Sequence, residues 1–67
     1  MDAASRRRAI ADALSAGEGP VAASALGERF GVSRQIIVGD IALLRASGIE
    51  ITATPRGYVI LRETAGL

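Results

Sequence analysis

Four residues between positions 33 and 38 bring together a hydroxyl, a guanidinium, a carboxamide and a branched apolar side chain: Ser33, Arg34, Gln35 and Val38. Arg and Gln form bidentate hydrogen bonds with the edges of guanine and adenine, and an apolar side chain packs against the thymine methyl group. A Ser hydroxyl donates to phosphate oxygens. If one structural element presents these side chains together, their chemistry suits the reading of duplex DNA.

The rest of the 67-residue chain offers few reactive groups. Because it contains no Cys and no His, zinc fingers, haem ligation, catalytic thiols and Ser-His-Asp arrangements are excluded. Tyr58 and a carboxylate are not part of any recognisable catalytic motif in the sequence. We therefore expect no enzyme activity, no metal site and no cofactor. The net charge is only +1, so the placement of the eight basic residues, all Arg, must carry any binding to a polyanion.

Two short helices are predicted before the Ser33 segment. Asp2 or Ser5 is expected to cap the first helix, which runs to about Ala16, because short polar side chains accept hydrogen bonds from free backbone N–H groups. After an extended Pro20-Val21, the second helix spans about Ala23 to Phe30. Apolar side chains at helical spacing are the predicted core: Ile10, Leu14, Leu26, Phe30, Ile37, Ile41 and Leu44.

A turn of about three residues joins the second helix to a third. Gly31 is predicted to end the second helix in a left-handed conformation, Val32 begins the turn, and Ser33 caps a helix from Arg34 to about Ala46. A helix, a Gly-containing turn and a helix opened by Ser are typical of a helix-turn-helix. The predicted recognition helix runs from Ser33 to Leu44.

One face of the predicted third helix has no acidic residue in its middle: it carries Arg34, Gln35, Val38, Gly39, Ala42 and Arg45. Such a face can lie against a polyanion and still read base edges. Gly39 costs about 0.5–1 kcal/mol relative to Ala in a helix interior. Two interpretations of Gly39 stay open: close approach to the groove floor, or a neutral exposed position. Asp40 borders this face and is expected to pair with an arginine such as Arg56.

A two-stranded hairpin is predicted after the third helix. Gly48 is the expected C-cap, and the following residues to Ala53 alternate between apolar and polar, as in a half-buried strand. Thr54-Pro55-Arg56-Gly57 has the preferences of a type I turn, and Tyr58-Val59-Ile60-Leu61 forms the second strand, with Tyr58 as a packing aromatic. A hairpin in this place is a wing, which carries Arg56 at its tip.

In residue types and in order along the chain, several segments resemble the winged helix-turn-helix of biotin-repressor-like and deoxyribose-operon-repressor-like regulators: Val32 to Ile41, Leu44-Arg45, Gly48, and Ala53 to Tyr58. They are similar in particular to the DNA-binding domain of niacin-responsive repressors of NAD biosynthesis. The resemblance covers about Arg8 to Leu61. It departs from the family at Ala22, where a Ser or Thr cap is usual, and at Gly39, where a long polar residue is usual. We expect Ser24 to cap the second helix instead.

The resemblance implies a following three-histidine domain that senses nicotinic acid through a metal. Because this chain has no histidine, two alternatives follow: a DNA-binding domain of a longer regulator, or a short relative that does not sense the ligand. The expected partner is double-stranded DNA, bound by a homodimer on a palindromic operator through an effector domain that is absent here. With no apolar run near the roughly 18 residues that span a bilayer and no signal peptide, we expect a cytoplasmic location and no membrane contact.

These observations predict an α+β winged helix-turn-helix, with three helices and a two-stranded wing, as one domain over residues 1–67. The predicted function is sequence-specific DNA binding for a transcriptional repressor, with the recognition helix in the major groove and Arg56 on the backbone or minor groove. The expected base-reading residues are Arg34, Gln35, Val38 and Gly39, and the expected backbone contacts are Ser33, Arg45, Arg56 and Ser24. The near-neutral charge leaves an alternative, a winged helix used for protein contacts.

Overall fold

Three helices precede an antiparallel hairpin in the order predicted. The computed structural model of the protein describes residues 1–16 and 19–63, with side chains through residue 60. The elements are α1 (Ala3–Ser15), α2 (Ala23–Phe30), α3 (Arg34–Ala46), β1 (Ile49–Thr54) and β2 (Gly57–Glu63). This is an α+β winged helix-turn-helix, and the predicted fold class is confirmed. None of the helices among the described residues is long and apolar enough to cross a membrane.

The helix caps agree with the sequence at three positions, Asp2, Gly31 and Ser33, and differ at two. Asp2 caps α1 by accepting a hydrogen bond from the Ser5 backbone N at 2.8 Å. Ser33 caps α3 by accepting from the Ile36 backbone N at 3.3 Å. The predicted cap Ser24 is wrong, because it lies inside the first turn of α2, whose N-cap is Ala22 and has no side-chain cap bond.

The predicted C-cap of α3 is also displaced by one residue. Ser47 is the C-cap, and Gly48 follows it with φ +107°. Gly48 therefore takes the left-handed position just beyond the helix, the place where Gly ends helices most often.

The core lies where the three helices meet the inner face of the hairpin. The predicted apolar stripe of α3 is buried, and the largest completely enclosed side chains are those of Ile10, Leu26, Ile37 and Ile41. Leu14 and Leu44 are also buried, while Phe30 is only partly buried and packs against this cluster. Tyr58 likewise packs against the core from β2, as predicted for a packing aromatic.

The turn between α2 and α3 depends on two glycines. Gly31 ends α2 with φ +70° and donates its backbone N–H to the Gly27 oxygen. The Val32 backbone N also donates to that oxygen, at 2.9 Å. A Cβ on Gly27 would lie 2.7 Å from the Val32 oxygen, so α2 admits no side chain where the turn folds back over it. This close approach sets how α3 leaves the turn.

The wing is tied to the segment before α2. The Val21 N–H donates to the Tyr58 oxygen at 3.0 Å, and the Tyr58 N–H donates to the Val21 oxygen at 2.9 Å. Gly57 has φ +140°, and its Cβ would lie 2.4 Å from the Val21 carbonyl carbon. The short extended stretch predicted at Pro20-Val21 thus pairs with the outer edge of β2 and fixes the wing beside the start of α2.

Candidate nucleic-acid interface

The outer face of α3 carries the predicted base-reading residues. Arg34, Gln35, Val38 and Gly39 are all exposed, whereas Ile37 in the same turn is buried. The Ser33 cap holds the first turn in place, and its hydroxyl still has a proton to donate. Arg45 is exposed at the other end of the helix. The helix therefore presents two cations, one amide and one apolar side chain on the side away from the core.

The wing tip is built by one Thr side chain. The Thr54 hydroxyl donates to the Gly57 oxygen at 2.7 Å and accepts from the Arg56 backbone N–H at 3.2 Å. Pro55 and Arg56 form the two-residue loop between paired Thr54 and Gly57. The Arg56 side chain is exposed and has no ion-pair partner among the described residues. This rigid turn thus holds a cation beside the recognition helix.

A groove of about 320 Å³ brings three of the predicted site residues together from three different elements. Ser24 comes from the first turn of α2, Arg34 from the first turn of α3 and Arg56 from the wing. The first backbone N–H groups of α2 have no partner within the helix, and Ala22 offers them no side-chain oxygen. A helix N-terminus carries a partial positive charge. Two guanidinium groups and this N-terminus therefore make the groove electropositive.

Asp40 pairs with an arginine, as predicted, but the partner is Arg6 and the suggested partner Arg56 is wrong. Its carboxylate accepts from Arg6 of α1, with Nε to Oδ2 at 2.6 Å and Nη2 to Oδ1 at 3.1 Å. Arg7 Nη1 lies 3.8 Å from Oδ1. The reason is helical period: Asp40 lies on the same side of α3 as Ile37 and is only 4% exposed.

Arg6 is partly buried, with its side chain 17% exposed. The hydrogen bonds from its guanidinium to Asp40 raise the Arg6 pKa above the ordinary arginine value, against the opposing effect of desolvation. The group stays cationic, and it neutralises the one carboxylate of α3. A carboxylate at a core-stripe position, three to four residues from apolar neighbours, was the sequence signal that could have identified this pair.

Gly39 contacts nothing inside the protein. No heavy atom lies within 4 Å of the position that its Cβ would take, in contrast to Gly27 and Gly57. Internal packing therefore does not require a glycine here, and the two interpretations from the sequence both remain.

Apolar side chains flank the reading face. Ile36 is 43% exposed, Val38 42% and Leu43 55%, so α3 carries three exposed large apolar residues. Among the described residues, no group of three or more Asp, Glu, His or Cys side chains could hold a metal ion. The exposed side of α3 offers hydrogen-bonding groups, apolar side chains and positive charge.

Comparison with known proteins identifies the family to which the chain belongs. A sequence family described as an HTH domain matches residues 6–59, from the α1 arginines to the wing. The chain is 45% identical over 62 residues to the probable transcription repressor NiaR of Thermotoga maritima, covering 92% of this chain and 35% of that protein. It is 39% identical over 62 residues to the transcription repressor NadR of Bacillus subtilis, covering 92% and 34%. The chain thus spans about a third of the length of these relatives, and the family resemblance predicted from the sequence is confirmed.

Proposed function

Because this chain belongs to the HTH domain family, we propose that it binds duplex DNA sequence-specifically as the DNA-binding domain of a transcription repressor. One observation carries the proposal. The single carboxylate of α3, Asp40, is buried and paired with Arg6, so the exposed face of the helix offers only cationic, amide and apolar groups. Such a face meets the phosphate-lined major groove without like-charge repulsion.

In this proposal α3 enters the major groove by its N-terminal half. Arg34 and Gln35 hydrogen-bond to guanine or adenine edges, and Val38 contacts a thymine methyl group. Gly39, with no Cβ, lets the helix backbone approach the groove floor. The placement of these residues in the first two turns agrees with the usual docking of helix-turn-helix proteins, whose recognition helices contact bases through their N-terminal residues.

The backbone contacts surround that helix. Ser33 donates its hydroxyl to a phosphate at the start of α3, and Arg45 contacts a phosphate near its end. Ser24 and Arg56 hold the phosphate backbone from the two sides of the electropositive groove, with the wing reaching the backbone or the adjacent minor groove. These contacts fix the register on DNA but carry no base preference of their own.

We assign residues 1–67 to one DNA-binding domain without enzymatic activity, acting in the cytoplasm where operator DNA is found. Repressors of this type bind two half-sites as dimers. We expect the isolated domain to bind one half-site of a palindromic operator, with lower affinity than a dimer.

The test begins with selection of bound duplexes from a random library, followed by affinity measurements on the selected site and on random duplex. Arg34→Ala should lose about 1–3 kcal/mol on the selected site and less on random duplex, because it removes a bidentate base contact. Arg8→Ala is the matched control, since it removes one exposed cation from α1 and leaves the α3 face intact. Equal losses on both duplexes for Arg34→Ala would refute the base-reading role.

The exposed Ile36 and Leu43 favour a second candidate, a winged helix that binds another protein. Salt separates the two functions. Affinity for DNA falls steeply as salt rises because phosphate contacts release counterions, whereas an apolar protein interface is little affected. If the domain enriches no DNA sequence and its affinity for a partner protein is insensitive to salt, its function is protein contact.

A further inference from the structure

Two planar groups of opposite charge join the inner side of α3 to α1. The Arg6 guanidinium donates through two nitrogens to both carboxylate oxygens of Asp40, at 2.6 and 3.1 Å. Asp40 is 4% exposed, and the Arg6 side chain is 17% exposed. We propose that Arg6 and Asp40 are positioning residues that fix the rotation of α3 against α1, and thereby the direction in which α3 presents its base-reading side chains. This inference rests on the DNA-binding function proposed above.

The geometry of the pair explains why it would control orientation. Apolar contacts around it, such as those of Ile37 and Ile41, are non-directional and tolerate sliding or rotation of one helix on another. A bidentate guanidinium-carboxylate pair is directional, because both hydrogen bonds hold only when the two planar groups meet edge to edge and are close to coplanar. The pair therefore defines one rotation of α3 among those that the apolar core accepts.

A small rotation would matter at the DNA surface. A helix with its side chains is about 10–12 Å across, so a rotation of about 20° moves a group at its surface by about 2 Å. Hydrogen bonds to base edges tolerate far less, since their donor-acceptor distances lie within about half an ångström. Arg34 and Gln35 lie one to two turns from Asp40 on the same helix, so they turn with it.

The identity of the pair also argues for orientation rather than stability. A buried ion pair is weak evidence for stability, because desolvation of the two charges offsets much of their attraction. Apolar residues of similar volume in the same place often give the fold equal or greater stability. Arg7 lies 3.8 Å from Asp40 and adds a second positive charge on the same side. Asp40 is buried on the same side of α3 as Ile37, Ile41 and Leu44, so the pair supplies a directional contact that an apolar side chain there would not supply.

The decisive variant is Asp40→Asn, which keeps the shape of the side chain and removes its charge. We measure the ratio of affinities for the selected duplex and for random duplex. The ratio should fall about tenfold or more, a loss comparable to the discrimination between bases that one bidentate contact supplies. Affinity for random duplex should stay equal or rise, because the variant carries one negative charge fewer. A ratio within about twofold of wild type, in a folded variant, would overturn the proposal.

Asp12→Asn is the matched control. It removes one carboxylate from the exposed side of α1 and leaves the Arg6–Asp40 pair untouched. The same change in net charge should leave the affinity ratio at the wild-type value. A fall in the ratio equal to that of Asp40→Asn would assign the effect to charge alone and contradict a positioning role.

Two further measurements cover loss of folding and loss of DNA binding. If Asp40→Asn is unfolded, the double variant Arg6→Met with Asp40→Leu is used, because it replaces the pair by apolar groups. When this variant is folded, a lowered ratio of the affinity for the selected duplex to that for random duplex supports the proposal. An unchanged ratio overturns it. If wild type selects no DNA sequence, the proposed function fails, and the angle by which α3 is rotated about its own axis relative to α1, measured from residual dipolar couplings, still decides the inference. A change above about 10° in the folded variant supports orientation by the pair, whereas an unchanged angle refutes it.

Discussion

Gly39 offers a test in which stability and DNA affinity should change in opposite directions. It is the sixth of the 13 residues of α3, and open space surrounds the position of its missing Cβ. Gly39→Ala should therefore stabilise the domain by about 0.5–1 kcal/mol, since Ala loses less backbone entropy in a helix. For a domain of this size the melting temperature should rise by about 2–8 °C. Thermal and urea unfolding followed by circular dichroism measure both quantities.

The same substitution at Gly27 is the matched control for the stability arm. A Cβ there would lie 2.7 Å from the Val32 oxygen, a backbone atom that cannot move without shifting the turn. Gly27→Ala should destabilise the domain by about 1–3 kcal/mol, the usual cost of overpacking. If both substitutions lowered stability, Gly39 would have an internal constraint that the structure does not contain.

DNA binding provides the second arm. If the absent side chain of Gly39 allows close approach to the groove floor, Gly39→Ala should weaken binding to the selected duplex about tenfold, or about 1.4 kcal/mol, with a smaller effect on random duplex. The variant is expected to be more stable than wild type, so unfolding cannot account for a loss of affinity. Unchanged or tighter binding to the selected duplex would refute close approach and leave Gly39 as a neutral position.

Three further outcomes follow from the described contacts. Gly57→Ala should lower the free energy of unfolding by about 1–3 kcal/mol, because its φ of +140° and its approach to Val21 exclude a Cβ; a change near zero in urea unfolding would contradict this. Ala22→Ser should supply the missing cap of α2 and add about 1 kcal/mol by the same measurement. Hydrogen bonding to Ser5 lowers the pKa of Asp2 below 3.8, so the ionised cap stabilises above that pH and the gain is lost as pH falls through the folded-state pKa. The melting temperature of wild type relative to Asp2→Asn should therefore decline as the pH is lowered from neutral through the acid range, and a constant difference would argue against a lowered Asp2 pKa.

The sequence by itself determined the elements and the exposed face of the recognition helix. The bounds of α2 and α3, the Ser33 cap and the left-handed Gly31 follow from local signals, since capping residues and helical periodicity act over a few neighbouring positions. The hairpin follows from alternation and a Pro-containing turn. These same signals place Arg34 and Gln35 on the outside of α3, where the structure has them.

Tertiary structure alone decided which distant residues meet. Arg6 and Asp40 are 34 positions apart, and periodicity gives the side of each helix but not the side chain that faces it from another element. The pairing of Val21 with Tyr58 and the groove shared by Ser24, Arg34 and Arg56 likewise arise only when the helices and the wing pack together. Local sequence fixes what each element presents, and the packing of the core fixes the distances between those surfaces.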